Sequence, residues 1–230
     1  MKKLVIVPAY NEEKNISDTL HKIIQYTDWD ICVINDCSSD RTSGLAHIGH
    51  KIAVIDLSFN LGIGGAVQTG YMYAAEHGYD IAIQVDADGQ HDPNFLNSLS
   101  KPIEEKVADL VIGSRFIKYE GFQSSVMRRI GISYFSWLIC LITGKKIFDT
   151  TSGFRACNSK IIELFAKEYP SDYPEPETNS RLLRLGFRIM EVPVIMRERA
   201  GGVSSISTIK SGWYMIKVTL AILIDWLRKN

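Results

Sequence analysis

Short β-branched runs alternate with helix-period segments over the first half of the chain, and this order restricts the fold more than any other feature. "LVIVP" (4–8) reads as a strand, and residues 12–26 place Ile16, Leu20, Ile23 and Ile24 on one helical face. "DICVIND" (30–36) is a second strand, "SSDRTSGLAHIG" (38–49) a capped helix and "KIAVIDL" (51–57) a third strand. Residues 64–77 follow as a helix and "DIAIQVD" (80–86) as a fourth strand. "DPNFLNSLSKPIEE" (92–105) is a helix with proline in its first turn, and "ADLVIGSR" (108–115) a fifth strand. Strands that alternate with helices imply an α/β fold with a mainly parallel, helix-covered sheet.

In such sheets ligands sit outside the carboxyl ends of the strands. Asp36, Asp86, Asp88, Arg115 and the "PAYNE" segment (8–12) all fall at predicted carboxyl ends, so they are expected on one rim. Helix capping would account for Asp36 taken alone, but not for Asp86 and Asp88 together. The stretch "VDADGQHDP" (85–93) ends a buried strand with Asp86, Asp88 and Asp92, which repel one another. A positive partner is expected there. Carboxylates with Gln90 offer hard oxygens, which suit Mg²⁺ or Mn²⁺ rather than zinc. A site with so few protein ligands fits a cation that also binds the diphosphate of a substrate. His91 is expected at the rim of this site rather than as a ligand.

Lys+Arg and Asp+Glu both number 26, so no global field draws nucleic acid to the chain. The four cysteines form no C-x-x-C pair; Cys32 and Cys140 lie in apolar runs and read as core thiols in a reducing, cytosolic setting. Two later stretches, 124–144 and 213–227, are apolar on almost every helical face. Their uninterrupted apolar runs would extend roughly 20–22 Å as helix, short of the ~30 Å hydrocarbon core, so neither is expected to span a membrane alone. Basic residues flank both, and Trp213, Tyr214 and Trp226 are of the kind that anchors at a membrane surface. A buried core helix and an oligomer or partner-protein contact remain the alternatives. The expected organisation is one domain over 1–205 and a C-terminal amphipathic helix over 206–230.

Several motifs together resemble one family. "PAYNE" (8–12), "INDCSSDRT" (34–42), "NLGIGGAVQTG" (60–70), "DADGQHDP" (86–93), "GSR" (113–115) and "DTTSGFRA" (149–156) look like the ordered motifs of inverting family 2 glycosyltransferases. The closer likeness is to the polyprenyl-phosphate sugar transferase branch, typified by dolichol-phosphate mannose synthase. "EVPVIMRERAGGVSS" (191–205) resembles a further motif, departing where the family often has Ser-Lys after the second of those glycines.

The resemblance implies a GT-A-type, Rossmann-like sandwich with a mainly parallel central sheet plus C-terminal amphipathic helices. It implies that Pro8, Ala9, Tyr10 and Glu12 border the nucleoside, that Asp36 holds base or ribose, and that Gly65, with Gly62 and Gly64, permits close backbone approach. Asp86 would contact ribose or metal, and Asp88 with Gln90 the metal and diphosphate. Arg115 would meet the transferring sugar and its phosphates, while Arg128 or Arg129, and Arg199, would meet an acceptor or leaving-group phosphate.

The implied reaction is inverting transfer from a nucleotide-diphosphate sugar, UDP-sugar first, with Mg²⁺ or Mn²⁺. The acceptor would be a polyprenyl phosphate at the cytosolic face of a membrane, or else a hydroxyl of a lipid-linked glycan. A sugar hydroxyl needs a base and an ionised lipid phosphate does not. Glu175 and Glu177, in a Pro-rich loop before a predicted helix, are the base candidates, and Glu177 is preferred. A non-catalytic nucleotide-sugar-binding scaffold is the rival from another class.

Overall fold

A computed structural model describes residues 1–49, 51–123, 125–198 and 208–227. Seven strands and eight α-helices follow in chain order. They are β1 (Lys3–Ala9), α1 (Ile16–Tyr26), β2 (Asp30–Asn35), α2 (Thr42–Ala46), β3 (Ile52–Asp56), α3 (Gly62–Glu76), β4 (Ile81–Gln84), α4 (Leu96–Glu104) and β5 (Leu110–Ser114). Then come α5 (Val126–Thr143), β6 (Arg155–Asn158), α6 (Ser159–Lys167), α7 (Pro174–Arg184), β7 (Ile189–Pro193) and α8 (Thr208–Leu227).

The strands form one sheet in the order β3-β2-β1-β4-β6-β5-β7. All neighbours are parallel except β6, which runs antiparallel to both β4 and β5. Alternate strand residues feed two cores. Leu4, Ile6, Cys32, Ile34, Leu110 and Ile112 face the layer that holds α3, α5, α6 and α8. Val5, Val7, Ile31, Val33, Ile81, Ile83 and Val111 face α1 and α4. Both sheet faces are therefore covered, and Leu4 to Val7 are wholly buried. Each such side chain contributes about 1.5–3 kcal/mol by leaving water.

The α/β architecture agrees with the sequence expectation, and two differences matter. The helix expected over 38–49 shrinks to Thr42–Ala46. Residues 38–40 are instead tied to the loop after β1: Asn11 N donates to Ser38 Oγ (2.9 Å), Ser39 N to Asn11 Oδ1 (2.8 Å) and Glu13 N to Asp40 Oδ2 (3.1 Å). The second is β6, inserted between β4 and β5. Its hydrogen bonds separate those strand tips by about 10 Å, two strand spacings.

Helix α5 is apolar on two sides, and the structure divides them. Ile132, Phe135, Leu138 and Ile139 are buried, whereas Val126, Met127, Ile130, Trp137 and Leu141 are exposed. It is the one helix among the described residues long and apolar enough to cross a membrane by length and composition, yet its inner side belongs to the core. Helix α8 packs beside it through Val218 and Ile222 and leaves Trp213, Ile216, Leu220, Ile224 and Leu227 bare.

Candidate active site

Strands β1, β2 and β4 are adjacent and parallel, so their carboxyl ends open into the same space. Ala9 pairs with Asn35 across β1 and β2, and Ile6 with Gln84 across β1 and β4. A cleft of about 510 Å³ lies there. Pro8, Ala9, Tyr10 and Glu12 line it from β1, Asp36 from β2, and Asp86, Asp88 and Gln90 from β4. Arg128 of α5 and Glu175 of α7 line it too.

Each side chain is placed by local bonds. Asp36 is buried; its N–H donates to Ala9 O (2.9 Å), and its Oδ1 accepts from Leu61 N (2.7 Å). Glu12 is buried, with Oε2 accepting from Asn15 Nδ2 (2.7 Å), while Tyr10 stays exposed. In the acidic turn Gly89 has φ +77°, a conformation that favours glycine. Asp88 Oδ1 accepts from Gln90 N (3.0 Å), which closes that turn.

His91 is not a rim residue. It is buried and stacked on Phe154 at 4.7 Å. Its Nδ1 accepts from Asp86 N (3.0 Å), which assigns the ring proton of the neutral form to Nε2, 3.7 Å from Asp86 Oδ2. Asp92 also leaves the acidic group, because it caps Asn94 N (3.1 Å) and pairs with Arg197 (2.8 Å).

The donor set suits a hard divalent cation that a substrate helps to hold. No cluster of three or more His, Cys, Asp or Glu residues able to hold a metal occurs among the described residues. Asp86, Asp88 and Gln90 supply oxygens along one wall, leaving several ligands to come from water and phosphate. A Cβ at Gly153 would stand 3.4 Å from Asp86 Oδ2 and 2.8 Å from Gln84 Nε2. Glycine at 153 thus keeps the space beside the Asp86 carboxylate clear.

Three expected site residues lie elsewhere, and a fourth stands just behind the cleft wall. Arg115, set back from β4 by β6, reaches the cleft through Thr151, which lines it and whose Oγ1 accepts from Arg115 Nη2 (3.2 Å). It is 5 % exposed and forms a two-pronged pair with Asp149: Nε to Oδ2 and Nη2 to Oδ1, both 2.7 Å. Arg129 opens into a different cavity from Arg128, because successive helical residues point about 100° apart. Gly65 packs on Leu61 rather than on the cleft; the close backbone approach occurs at Gly64, whose N–H donates to Ser171 O (3.1 Å). Glu177 turns away from the cleft toward Asp225, Arg181, Glu168 and Lys217. Arg199 lies outside the described residues.

Glu175 takes the place that Glu177 was expected to hold. Both acids sit within the first turn of α7, not in a loop before it, and two helical steps separate their directions by about 200°. Burial pushes the Glu175 carboxyl above the usual range, Asp86 adds to this, and Arg155 and Arg128 oppose it. Arg155 is fully buried with Nη2 3.8 Å from Glu175 Oε1, and it also donates to Thr178 Oγ1 (2.8 Å). Arg128 keeps solvent contact within the cleft, where enclosure and the Arg115 charge hold its pKa below the usual value. Arg155 and Gly153 were visible only as parts of "DTTSGFRA"; nothing in their spacing separated their roles.

The glycosyl transferase family 2 profile matches residues 4–165. The chain is 32% identical over 228 residues to an undecaprenyl-phosphate mannosyltransferase of Micrococcus luteus, covering 95% of this chain and 93% of that one. It is 30% identical over 218 residues to a polyprenol monophosphomannose synthase of Mycolicibacterium smegmatis, covering 89% and 80%. Its fold is similar to glucosyl-3-phosphoglycerate synthase of Mycobacterium tuberculosis, solved with Mn²⁺, uridine diphosphate and phosphoglyceric acid. That likeness has a TM-score of 0.74 at 19% identity, covering 100% of this chain and 80% of that one. The chain belongs to glycosyl transferase family 2: it is a glycosyltransferase of GT-A fold, related to the polyprenyl-phosphate sugar synthases.

Proposed function

We propose that the protein transfers a sugar, with inversion, from a nucleotide-diphosphate sugar to a polyprenyl phosphate at the cytosolic surface of a membrane. The observation that carries this reading is Arg128 in the same cleft as Asp86, Asp88 and Gln90. One wall is acidic and suits a cation-bound diphosphate; a guanidinium enters from α5 and suits an incoming phosphate.

In this reading Pro8, Ala9, Tyr10, Glu12 and Asp36 take the nucleoside. Asp86, Asp88 and Gln90 would hold Mg²⁺ or Mn²⁺, which neutralises the departing diphosphate when bound. Arg128 orients the acceptor phosphate, whose oxygen is already ionised and attacks without a base. The names of the two relatives point to mannose as the first sugar to try. Bare apolar side chains on α5 and α8 support contact with the membrane. Of the expected C-terminal segment 206–230, α8 (Thr208–Leu227) forms the attached helix in this reading, and the remaining positions lie outside the described residues.

A second reading is favoured by one observation. Glu175 is a carboxyl of raised pKa inside the cleft, as a general base for a glycan hydroxyl would be. One assay separates the two. Labelled UDP-, GDP- and dTDP-sugars are incubated with Mg²⁺ or Mn²⁺ and undecaprenyl phosphate. Label in the organic extract, reduced about 100- to 1000-fold in Asp88→Ala, is expected. Metal-dependent donor binding with no lipid label under any donor would overturn the lipid-phosphate reading in favour of the glycan hydroxyl.

A further inference from the structure

Sheet order sets out the cleft from one end to the other. In the transfer reading β2 and β1 bear the residues for the nucleoside, and β4 bears the acidic turn for the diphosphate. Strand β6 comes next. Because it runs antiparallel, its first residue, Arg155, lies opposite Gln84 and so reaches the same rim, two residues before Asp86. A sugar joined to the diphosphate on the side away from the nucleoside therefore falls over the start of β6. Glu175 lines the cleft there, from the first turn of α7.

Arg155 and Glu175 share charge but not a hydrogen bond. The Arg155 side chain is fully buried, and Glu175 is the one carboxylate it meets among the described residues, at 3.8 Å. Its N–H groups go elsewhere: Nη1 donates to Thr178 Oγ1 (2.8 Å) and Nη2 to Tyr169 Oη (3.2 Å). Thr178 Oγ1 donates in turn to Pro174 O (2.7 Å), which fixes the first turn of α7. The Glu175 side chain is only 13 % exposed, yet among the described residues no other residue donates a hydrogen bond to its carboxylate. Its lone pairs face the cleft, and an enclosed carboxylate gains from any donor that reaches it there.

Three kinds of ligand group can be weighed against this carboxylate. A phosphate offers acceptor oxygens and negative charge, so Glu175 repels it. A divalent cation needs more ligands, and Glu175 joins no cluster able to hold a metal among the described residues. Neutral hydroxyls are donors, a hexose carries several, and their bonds to an ionised acceptor are short and strong. We propose that Arg155 is a positioning residue for donor recognition: its buried guanidinium holds the start of α7 and the Glu175 carboxylate in place, and Glu175 accepts hydrogen bonds from hydroxyls of the transferring sugar. This inference rests on the transfer reading and deepens it, because it names what distinguishes a sugar nucleotide from the bare nucleoside diphosphate.

Isothermal titration of the full chain in Mn²⁺, with no acceptor present, compares GDP-mannose with GDP and UDP-glucose with UDP. The wild-type chain should bind at least one of the two sugar nucleotides. Glu175→Gln should weaken that ligand about tenfold, while its nucleoside diphosphate stays within about twofold of wild type. Arg155→Met should do the same. The double variant should lose no more than either single one, because both act through one carboxylate. Arg155→Lys keeps the charge and should restore binding to within about threefold of wild type. Glu175→Gln keeps the shape of its side chain, so it remains informative even where Arg155→Met does not fold.

An equal loss for a sugar nucleotide and its nucleoside diphosphate in Arg155→Met would reduce Arg155 to support of the fold. An unchanged preference in Glu175→Gln would remove the carboxylate from the sugar. Losses that multiply in the double variant would show two separate effects. Each of these overturns the proposal and leaves the transfer reaction standing, whichever acceptor it uses. If neither sugar nucleotide binds the wild-type chain, the transfer reading falls and this inference falls with it.

Discussion

In the acidic cleft nearly every polar side chain stands at the end of a strand, and sheet register fixes where it lies. Along α5 and α8 the order is reversed: large apolar side chains stand bare, and few polar contacts hold the helices in place. Asp36 is bound through backbone groups of β1 and of residue 61. Helix α8, by comparison, is fastened by Arg184 to Asp225 (2.5 Å), by Lys217 to Asp172, by Tyr134 Oη to Thr219 Oγ1 (3.2 Å) and by the Tyr173–Tyr214 ring contact. The cleft is set by the core of the sheet, so it tolerates little change. The helical face is exposed, and in the proposed reading it meets a membrane, so single substitutions there should act on binding before they act on folding.

The two regions meet at the Arg115–Asp149 pair, and the largest effect is expected there. Asp149→Ala would leave the buried Arg115 guanidinium without its carboxylate, at a cost of about 3–5 kcal/mol. Urea unfolding measures this; a loss under about 1 kcal/mol would show that the joint is not buried in solution. On the exposed face, Trp213→Ser/Trp226→Ser should weaken vesicle binding by roughly tenfold with no change in thermal midpoint. Unchanged co-sedimentation with vesicles would remove α8 from the membrane contact.

Glu175 and Glu177 bring the comparison down to one helical turn. With a lipid phosphate as acceptor, Glu175→Gln should keep transfer within about tenfold of wild type, and a fall of 100-fold or more would mark it as a base. Glu177→Gln should leave transfer alone and change only stability. Burial, then the charge of Asp225, raises its pKa above the ordinary 4.5, with Arg181 and Lys217 opposing. A carboxyl raised in the folded state is ionised at a cost once pH exceeds its unfolded value. Glu177→Gln should therefore raise the unfolding free energy slightly at pH 8, by under about 1 kcal/mol, and the gain should fade as pH falls toward 4.5. A gain that grew on acidification would contradict the assigned cause.

The strand-tip residues were readable because a parallel sheet sends its carboxyl ends to one rim whatever the rest of the chain does. Pro8, Tyr10, Asp36, Asp86 and Asp88 needed only the order of elements to be placed together. Arg115 obeys the same rule but is set one side chain back from the cleft, behind Thr151. It does end a strand, but "RACN" was not legible as an inserted antiparallel strand, being four residues long with a charge at its start. Glu177 was preferred over Glu175 because the position of the helix start, one residue after Tyr173, decides which acid faces inward. Tyr173 adopts φ +49°, a left-handed conformation that a tyrosine does not announce.

The sequence by itself determined the layered α/β class, the acidic turn after β4 and the family, since periodicity, charge and motif order are local properties of the chain. Only the tertiary structure decided that Arg128 enters the cleft while Arg129 lines a separate cavity, that Asp149 occupies Arg115, and that Glu175 rather than Glu177 meets the acids. Those outcomes depend on which faces of α5 and α7 the core covers. That choice is made by packing between residues far apart in the chain, so no window of the sequence contains it.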